Sequence, residues 1–492
     1  MKNKSKKSEA LKILKDCLEA STSHGIPSIL RNENLFLKIM WTLFFLLSSG
    51  YCIYGLINGF KSYFSFDVNT VLKFYRTSEI EFPTITICNK HNFNFKNTTP
   101  QAMLDNLKYL KKQALSFDSF MLNSTDTMTM IRDVYYFIDY GMNQFNISSE
   151  AVRNIGYSMK DMLLNCRFND IKCSEDDFEY VSIMGFGNCY KFNSGKNSNL
   201  TEIGIKKISF SGRNNGLRLE LFTGQRSIQN DISISDGVHI FISNSSKNFF
   251  SEREGFGLSV GALTDVRLSQ IFNEKLPNPY GNCILEVTNP NSHESFLFTL
   301  TIKYQGIYEQ RICLLLCFQK YIIDNYKCYE PTLPNYSKGS KYCEYGPRNK
   351  AFSDFYLYKS KECLNECPPE CNYVEFNVQL SHTQFPSIFY SDLLIQHDKL
   401  LGNVRNFSSY EQLRSSTLAV NIYYDDIGYT TVVEVVAKTF EQFFGEVGGF
   451  LGLCIGISLL SVIEVLEIIF KIAFVYLRKE NNPKLSIFPV KN

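Results

Sequence analysis

The stretch GEVGGFLGLCIGIS, residues 445–458, places five glycines in the first half of a long apolar segment. Each glycine weakens a helix by about 1 kcal/mol relative to alanine, so the segment needs a use that offsets this cost. On a straight helix with about 100° per residue, four of them lie on one side, and a glutamate further along returns to that side. These residues are Gly445, Gly449, Gly452, Gly456 and Glu467. Close helix packing explains the glycines, whereas an acid within a span needs water or a partner. If the helix is straight, the pattern predicts that this stripe, contributed by several chains, lines a pathway for cations. A break at 456–458 would restrict the argument to the residues before it.

A second apolar segment lies near the start of the chain. Residues 39–57 carry no charge, and with 35–37 they reach the roughly 20 residues that a spanning helix needs. We predict membrane spans at 35–57 and 443–475. The second span contains Glu464 and Glu467, and a pair between Glu467 and Lys471, four residues apart, would still leave Glu464 in need of water.

Basic residues set the orientation of the predicted spans. The first 38 residues carry eight Lys or Arg, and Arg478, Lys479, Lys484 and Lys491 follow the second span. Because such residues mark the cytoplasmic side, we predict cytoplasmic segments at 1–34 and 476–492 and an extracellular domain at 58–442. The chain would lie in the plasma membrane, with the lipid bilayer as a partner.

Cysteines and glycosylation sequons support this placement. Of the 15 cysteines, all but Cys17, Cys52 and Cys454 lie in 58–442, and that even number predicts six disulfides in an oxidising compartment. A zinc site at 363–371 is the less favoured alternative because no histidine has ligand spacing. Seven sequons fall in the same region, at Asn97, Asn123, Asn146, Asn199, Asn244, Asn335 and Asn406.

The predicted extracellular domain mixes strands and helices. LRLELF (217–222) alternates strictly, and 82–88, 238–243, 374–380 and 418–424 also have strand character. Helices are predicted at 101–115, 150–166 and 308–323. We expect an α+β domain with a central sheet whose first and last strands lead directly into the spans.

Several classes of function are disfavoured. A net charge of +2 gives no electrostatic footprint for nucleic acid. The sequence has no G-x-S-x-G, no H-E-x-x-H and no metal-type histidine spacing, so we predict neither an enzyme nor a cofactor or metal site. A non-conducting cell-surface receptor stays an alternative, but it would need neither the glycine stripe nor acids within a span.

Short motifs along the chain fall in one order. They are STSHGIPSI (21–29), FPTITICN (82–89), GNCYKFN (187–193), LPNPYGNC (276–283), CNYVEFNVQLS (371–381), NIYYDDIGYT (421–430) and GGFLGLCIGISLLSVIE (448–464). Each motif alone is weak evidence for a family. The occurrence of all of them in this order, together with two predicted spans, is specific. In this respect the chain resembles the degenerin/epithelial sodium channel (amiloride-sensitive sodium channel) family over most of its length.

The resemblance implies a trimer of hand-shaped subunits around a cation pore. The family's selectivity filter maps to Gly456, Ile457 and Ser458. Enlarging the small residue that maps to Gly445 tends to hold these channels open, and Glu446 takes the place of an acid near the outer mouth.

The resemblance also implies a cytoplasmic gating motif and a disulfide pattern. The motif maps to His24 and Gly25. The implied pairs are Cys88–Cys189, Cys166–Cys173, Cys283–Cys371, Cys313–Cys367, Cys317–Cys363 and Cys328–Cys343.

We therefore expect a sodium-permeable, amiloride-sensitive channel with an extracellular trigger. A short neuropeptide is the favoured ligand because no long insertion suggests a matrix tether. Proton gating through acidic runs such as 175–177 or 425–426 is the alternative, and mechanical or constitutive opening stays open. The sequence leaves undecided whether calcium permeates and whether the trimer contains one kind of subunit or several.

Overall fold

The computed structural model describes residues 12–21, 25–91, 105, 153–154, 156–183, 186–224, 235–244, 254–330, 333–337, 339–343, 345–400, 405 and 407–477. The chain forms two units, Thr70–Glu434 and the combination of Met1–Asn69 with Val435–Asn492. Apart from Asp105, the helix predicted at 101–115 lies outside the described residues.

Strands dominate the larger unit. They are β1 (Val68–Arg76), β2 (Ile80–Glu81), β3 (Thr84–Asn89), β4 (Leu163–Phe168), β5 (Ile171–Lys172), β6 (Phe178–Ile183), β7 (Gly187–Phe192), β8 (Lys207–Ile208), β9 (Gly216–Phe222), β10 (Val238–Ser243), β11 (Phe256–Leu258), β12 (Ala262–Glu274), β13 (Cys328–Tyr329), β14 (Lys341–Tyr342), β15 (Asn372–Gln384) and β16 (Thr417–Val436). The strands predicted at 217–222, 238–243, 374–380 and 418–424 are confirmed within β9, β10, β15 and β16, and that predicted at 82–88 is confirmed from Thr84 onward as β3.

The described residues also contain helices with defined bounds. They are α1 (Ile26–Arg31), α2 (Leu35–Phe64), α3 (Met159–Met162), α4 (Phe296–Gln305), α5 (Gln310–Tyr326), α6 (Tyr345–Asp354), α7 (Ser360–Glu366), α8 (Ile388–Leu400), α9 (Tyr410–Ser416), α10 (Phe440–Ile455) and α11 (Leu459–Leu477), with a π-helical turn at Phe355–Lys359 between α6 and α7.

The central sheet has the order β15-β12-β16-β9-β4-β5, and β1 also pairs with β16. β12 pairs with β15 antiparallel and with β16 parallel. Residues 417–424 of β16 are buried without alternation, which is typical of a strand covered on both faces. β1 follows α2 and β16 precedes α10 along the chain, as the sequence predicts.

A second sheet, in the order β11-β10-β3-β7-β6, shares its core with the central sheet. Strict alternation places Leu217, Leu219 and Leu221 of β9 in that core, each no more than 2% exposed. Between them, Arg218 and Glu220 are half-buried. Period-two patterning thus fixes which face of β9 packs inward.

The helix predicted at 150–166 is wrong at its C-terminal end, while 150–152 and 155 lie outside the described residues and 153–154 are helical. Where this segment is described at its end, a single short helix, α3, is followed at once by β4. β4 pairs with β9, and the Cys166–Cys173 disulfide closes the β4–β5 hairpin. Sheet pairing and the disulfide therefore override the local helical pattern.

A helical layer completes the larger unit. The helix predicted at 308–323 is confirmed as α5, and α4 packs beside it in a separate core that contains Leu297, Phe298, Ile312 and Leu316. The disulfides Cys313–Cys367 and Cys317–Cys363 join α5 to the region of α7.

The smaller unit contains the apolar helices. α2 has 30 residues and is long and apolar enough to cross a membrane. α10 and the first part of α11 pass the same test only together, as a pair bent by 73°. In the described residues this gives one candidate span, or two if the bent pair is counted as a broken span.

The bend rules out the straight helix assumed through 445–467 and places the break at 456–458, the alternative that the sequence left open. α10 ends at Gly456, which takes a left-handed conformation with φ 71°, and α11 begins after Ser458. Glycine adopts this conformation without a Cβ penalty and is the usual residue at such helix ends. Gly445, Gly449 and Gly452 stay together on α10, but Glu467 lies on a different helix and does not continue their stripe.

Candidate pore and gating site

α10 has one packed face and one bare face. Phe443 contacts α2 through Phe60 and Tyr63, with ring centroids 4.9 and 4.6 Å apart. Phe450, two turns later, packs over Gly55 of α2.

The opposite face of α10 carries the glycines. A Cβ added at Gly445, Gly448, Gly449 or Gly452 would meet nothing within 4 Å. Four glycines thus form a surface that the described part of the chain leaves uncovered. In an apolar helix such a surface suits close contact with other helices or with a narrow aqueous path.

The predicted filter residues lie together in the turn between α10 and α11. The Gly456 N–H donates to the Gly452 and Leu451 carbonyls, and the Ile457 N–H donates to the Leu451 carbonyl at 3.1 Å. The last carbonyls of any helix lack partners within the helix. This turn therefore brings backbone oxygens to the point where the apolar segment bends.

Ser458 begins the next helix. Its N–H donates to Ser461 Oγ at 3.1 Å, and the Ser461 N–H donates back to Ser458 Oγ at 3.4 Å. The two hydrogen bonds thus give partners to two backbone N–H groups at the start of α11, which have none within the helix. The structure therefore gives the Ser458 side chain a structural role beside the predicted filter role.

Glu464 and Glu467, the two acids predicted on the cytoplasmic side of the pore, lie on α11. Glu467 forms an ion pair with Lys471 at 2.6 Å, which is the i to i+4 pair that the sequence allowed. Glu464 lies on the same helix, one turn before Glu467. The pair with Lys471 balances the charge of Glu467.

Glu446 is the acid that the resemblance places near the outer mouth of the pore. The sequence did not predict its contacts. Its carboxylate forms an ion pair with Lys438 and lies over Gly59 of α2, where an added Cβ would be 3.6 Å from its Cδ. Lys438 lies before the start of α10, so helical periodicity gave no signal for this pair. The charge of Glu446 is balanced within the same unit.

Of the two residues in the predicted cytoplasmic motif, His24 lies outside the described residues. Gly25 has φ 94°, and a Cβ there would be 2.9 Å from Cδ2 of Phe45 on α2. Both the conformation and the close approach require glycine at this position. Gly25 thus places the start of α1 directly against α2.

The structure contains the same six disulfides that the resemblance implies. They are Cys88–Cys189, Cys166–Cys173, Cys283–Cys371, Cys313–Cys367, Cys317–Cys363 and Cys328–Cys343. Cys17, Cys52 and Cys454 are free thiols.

Among the predicted glycosylation sites, Asn199, Asn244 and Asn335 are exposed. Asn97, Asn123, Asn146 and Asn406 lie outside the described residues. Within the described ranges no group of three or more His, Cys, Asp or Glu is arranged to hold a metal ion.

A disulfide-rich domain built on β-sheets is here joined to apolar helices of membrane-spanning character. A family model described as amiloride-sensitive sodium channel matches residues 17–468. The chain belongs to this family, which consists of membrane channels and not of enzymes.

Curated relatives match the chain over nearly its whole length. The bile acid-sensitive ion channel of Mus musculus is 26% identical over 468 residues, which cover 92% of this chain and 87% of that protein. Acid-sensing ion channel 1 of Gallus gallus is 25% identical over 470 residues, with coverages of 92% and 82%. Acid-sensing ion channel 2 of Rattus norvegicus is 25% identical over 467 residues, with coverages of 92% and 85%.

Proposed function

We propose that the chain is a subunit of a trimeric, sodium-permeable, amiloride-sensitive channel of the plasma membrane, with both termini in the cytoplasm. The bare glycine face of α10 is the observation that carries this proposal. Its four glycines have no covering atoms within 4 Å in the described part of the chain, whereas the opposite face packs on α2. One α2–α10 pair cannot enclose a pore, but several glycine faces around an axis can.

The pore would narrow at the end of α10. Carbonyl oxygens near Gly456 and Ile457 would replace part of the hydration shell of a sodium ion. Glu464 and Glu467 would attract cations on the inner side, with Glu467 held in an ion pair with Lys471. Whether calcium also enters depends on how much acidic charge faces the axis in the assembled trimer.

For the trigger we favour an extracellular ligand, and among ligands a short neuropeptide. The printed names of the relatives refer to acid and to bile acid, so a chemical trigger has precedent in the family. The acidic run at 175–177 has structural partners that account for its position. Asp177 accepts from the Ser174 N–H at 3.1 Å and pairs with Lys206 at 3.4 Å, while Asp176 accepts from Ser198 Oγ at 3.1 Å.

The proposal is tested by whole-cell current from this chain, expressed alone and with related subunits. Gly445→Phe should produce a sustained sodium current that amiloride blocks, because a bulky residue on the bare face prevents the faces from closing together. Gly445→Ala is the matched control and should behave like the unaltered chain. Surface-expressed channels that stay silent in every combination would contradict the proposal.

The peptide trigger is tested separately, on channels that conduct. Short peptides applied outside should open the unaltered channel. If a panel of such peptides gives no current in cells where acid or stretch does, the peptide assignment is wrong.

Proton gating is a second candidate because of Glu220 on β9. This carboxylate is half-buried and accepts a hydrogen bond from Tyr390 Oη at 2.8 Å. Burial raises the pKa of Glu220, so it takes up a proton at a higher pH than an ordinary glutamate. If acid opens the channel, Glu220→Gln should shift the pH of half-activation. An acid response that Glu220→Gln leaves unchanged would remove this candidate sensor.

A further inference from the structure

An open groove lies in the helical layer of the larger unit, far along the chain from the apolar helices. It has a volume of about 370 Å³ and lies between α5 on one side and the Phe355–Lys359 turn with α7 on the other. Leu314, Leu315, Phe355 and Leu364 form most of its wall. This volume falls within the range of small-molecule sites.

The two walls of this α5–α7 groove are held in place covalently. Cys363 lines the groove and is bonded to Cys317 of α5. Phe355 is buried, and its ring lies 5.1 Å from that of Phe318 on α5. The groove is therefore a preformed concavity, which lowers the entropy cost of binding a ligand.

The rim of the groove carries positive charge. Arg311 and Lys361 line it and are exposed, and none of the lining residues that the structure describes is acidic. Within the described ranges neither cation has an ion-pair partner. The neighbouring acids Glu362 and Glu366 pair with Lys359 at 2.8 Å and with Lys320 at 3.6 Å.

We propose that the α5–α7 groove binds a small amphipathic organic anion, with an apolar body and one carboxylate or sulfonate group. The apolar body would cover the leucine and phenylalanine wall and gain from leaving water. The anionic group would lie at the rim, where Arg311 offers a bidentate fork and Lys361 a point charge. A cationic ligand would be repelled by the positive charges of Arg311 and Lys361. The groove would therefore not bind a basic peptide.

The experiment uses decanoate as the probe. The full chain in nanodiscs of zwitterionic lipid is labelled with a photoreactive decanoate, and the labelled peptides are identified by mass spectrometry. We expect label on α5 or α7 that unlabelled decanoate displaces and that decanol and decylamine do not. The readout is binding, so it does not depend on whether the channel conducts.

Two variants test the chemistry of the site. Arg311→Gln combined with Lys361→Gln should reduce labelling by at least about tenfold, since hydrogen bonds between charged groups are the strong ones. Lys320→Gln is the matched control, because this lysine lies on α5 but not in the groove lining, and it should leave labelling unchanged. Leu315→Trp keeps the charges but fills the groove, and it should also abolish labelling.

Three results would overturn the proposal. They are the absence of label from both helices, displacement by decanol as effective as that by decanoate, and labelling that survives the loss of both cations. Each variant is compared at equal amounts of monodisperse protein, so loss of folding is not read as loss of binding.

Discussion

Packing of α2 against α10 depends on the missing side chain at Gly55. A Cβ at this position would lie 2.4 Å from Cε1 and 2.6 Å from Cζ of Phe450. Favourable carbon–carbon contacts are about 3.5–4.0 Å, so Gly55→Ala forces the ring to move by about 1 Å or more. The ring also meets Tyr51 edge-on at 6.1 Å, which limits its room. We expect the variant to lose about 1–3 kcal/mol of stability, as overpacked cores do.

The chain offers a matched control for this change. Gly50 lies on the same helix, and a Cβ there would meet nothing within 4 Å, so Gly50→Ala should cost little. Thermal unfolding of the full chain in nanodiscs gives the comparison. In a Phe450→Leu background, Gly55→Ala should cost much less, as a double-mutant cycle would show. Equal stability of the two alanine variants, or no relief from Phe450→Leu, would refute this account of the packing.

Two further predictions concern the larger unit. Tyr308→Phe should cost about 1–3 kcal/mol, because it leaves the Pro368 carbonyl without the 2.7 Å hydrogen bond from a buried hydroxyl. Tyr304→Phe removes an exposed 3.1 Å hydrogen bond and should cost less, so equal losses in thermal unfolding would contradict the reasoning. Burial lowers the pKa of His239, so the unfolded chain binds this proton more readily than the folded one. Stability should therefore be full above the ordinary histidine pKa of about 6.5 and fall as the pH drops further. His239→Gln should flatten that loss, and an unchanged pH profile of the unfolding temperature would show that His239 does not cause it.

Some of the fold could be predicted from residue patterns alone. Strict alternation in 217–222 identifies β9 because a strand places successive side chains on opposite faces. The cysteine count indicated disulfides, but residue patterns alone could not pair them, and the pairing came only from the resemblance. The segment at 150–166 misled because long-range pairing with β9 decides its conformation, and a local window does not contain that information.

Within the candidate pore, the sequence identified the glycines and left a break at 456–458 open, but it could not decide whether the helix bends there. A periodicity argument treats all glycines as members of one continuous helix. Gly456 instead ends α10, and the capping pair of Ser458 and Ser461 starts α11. The Lys438–Glu446 ion pair was missed for a similar reason, since it joins a residue before the helix to one within it. Such contacts depend on where helices end, which is the least certain feature of a sequence-based prediction.

Reaction of introduced cysteines with a charged thiol reagent tests the central claim most directly. In a conducting channel with Cys52→Ser and Cys454→Ser, external reagent is applied to Gly449→Cys, Gly452→Cys and Phe443→Cys while sodium current is recorded. The account predicts rapid block at both glycine positions and none at Phe443, whose side chain packs on α2. Block at Phe443→Cys with no effect at the two glycines would mean that the bare face of α10 does not line the pore.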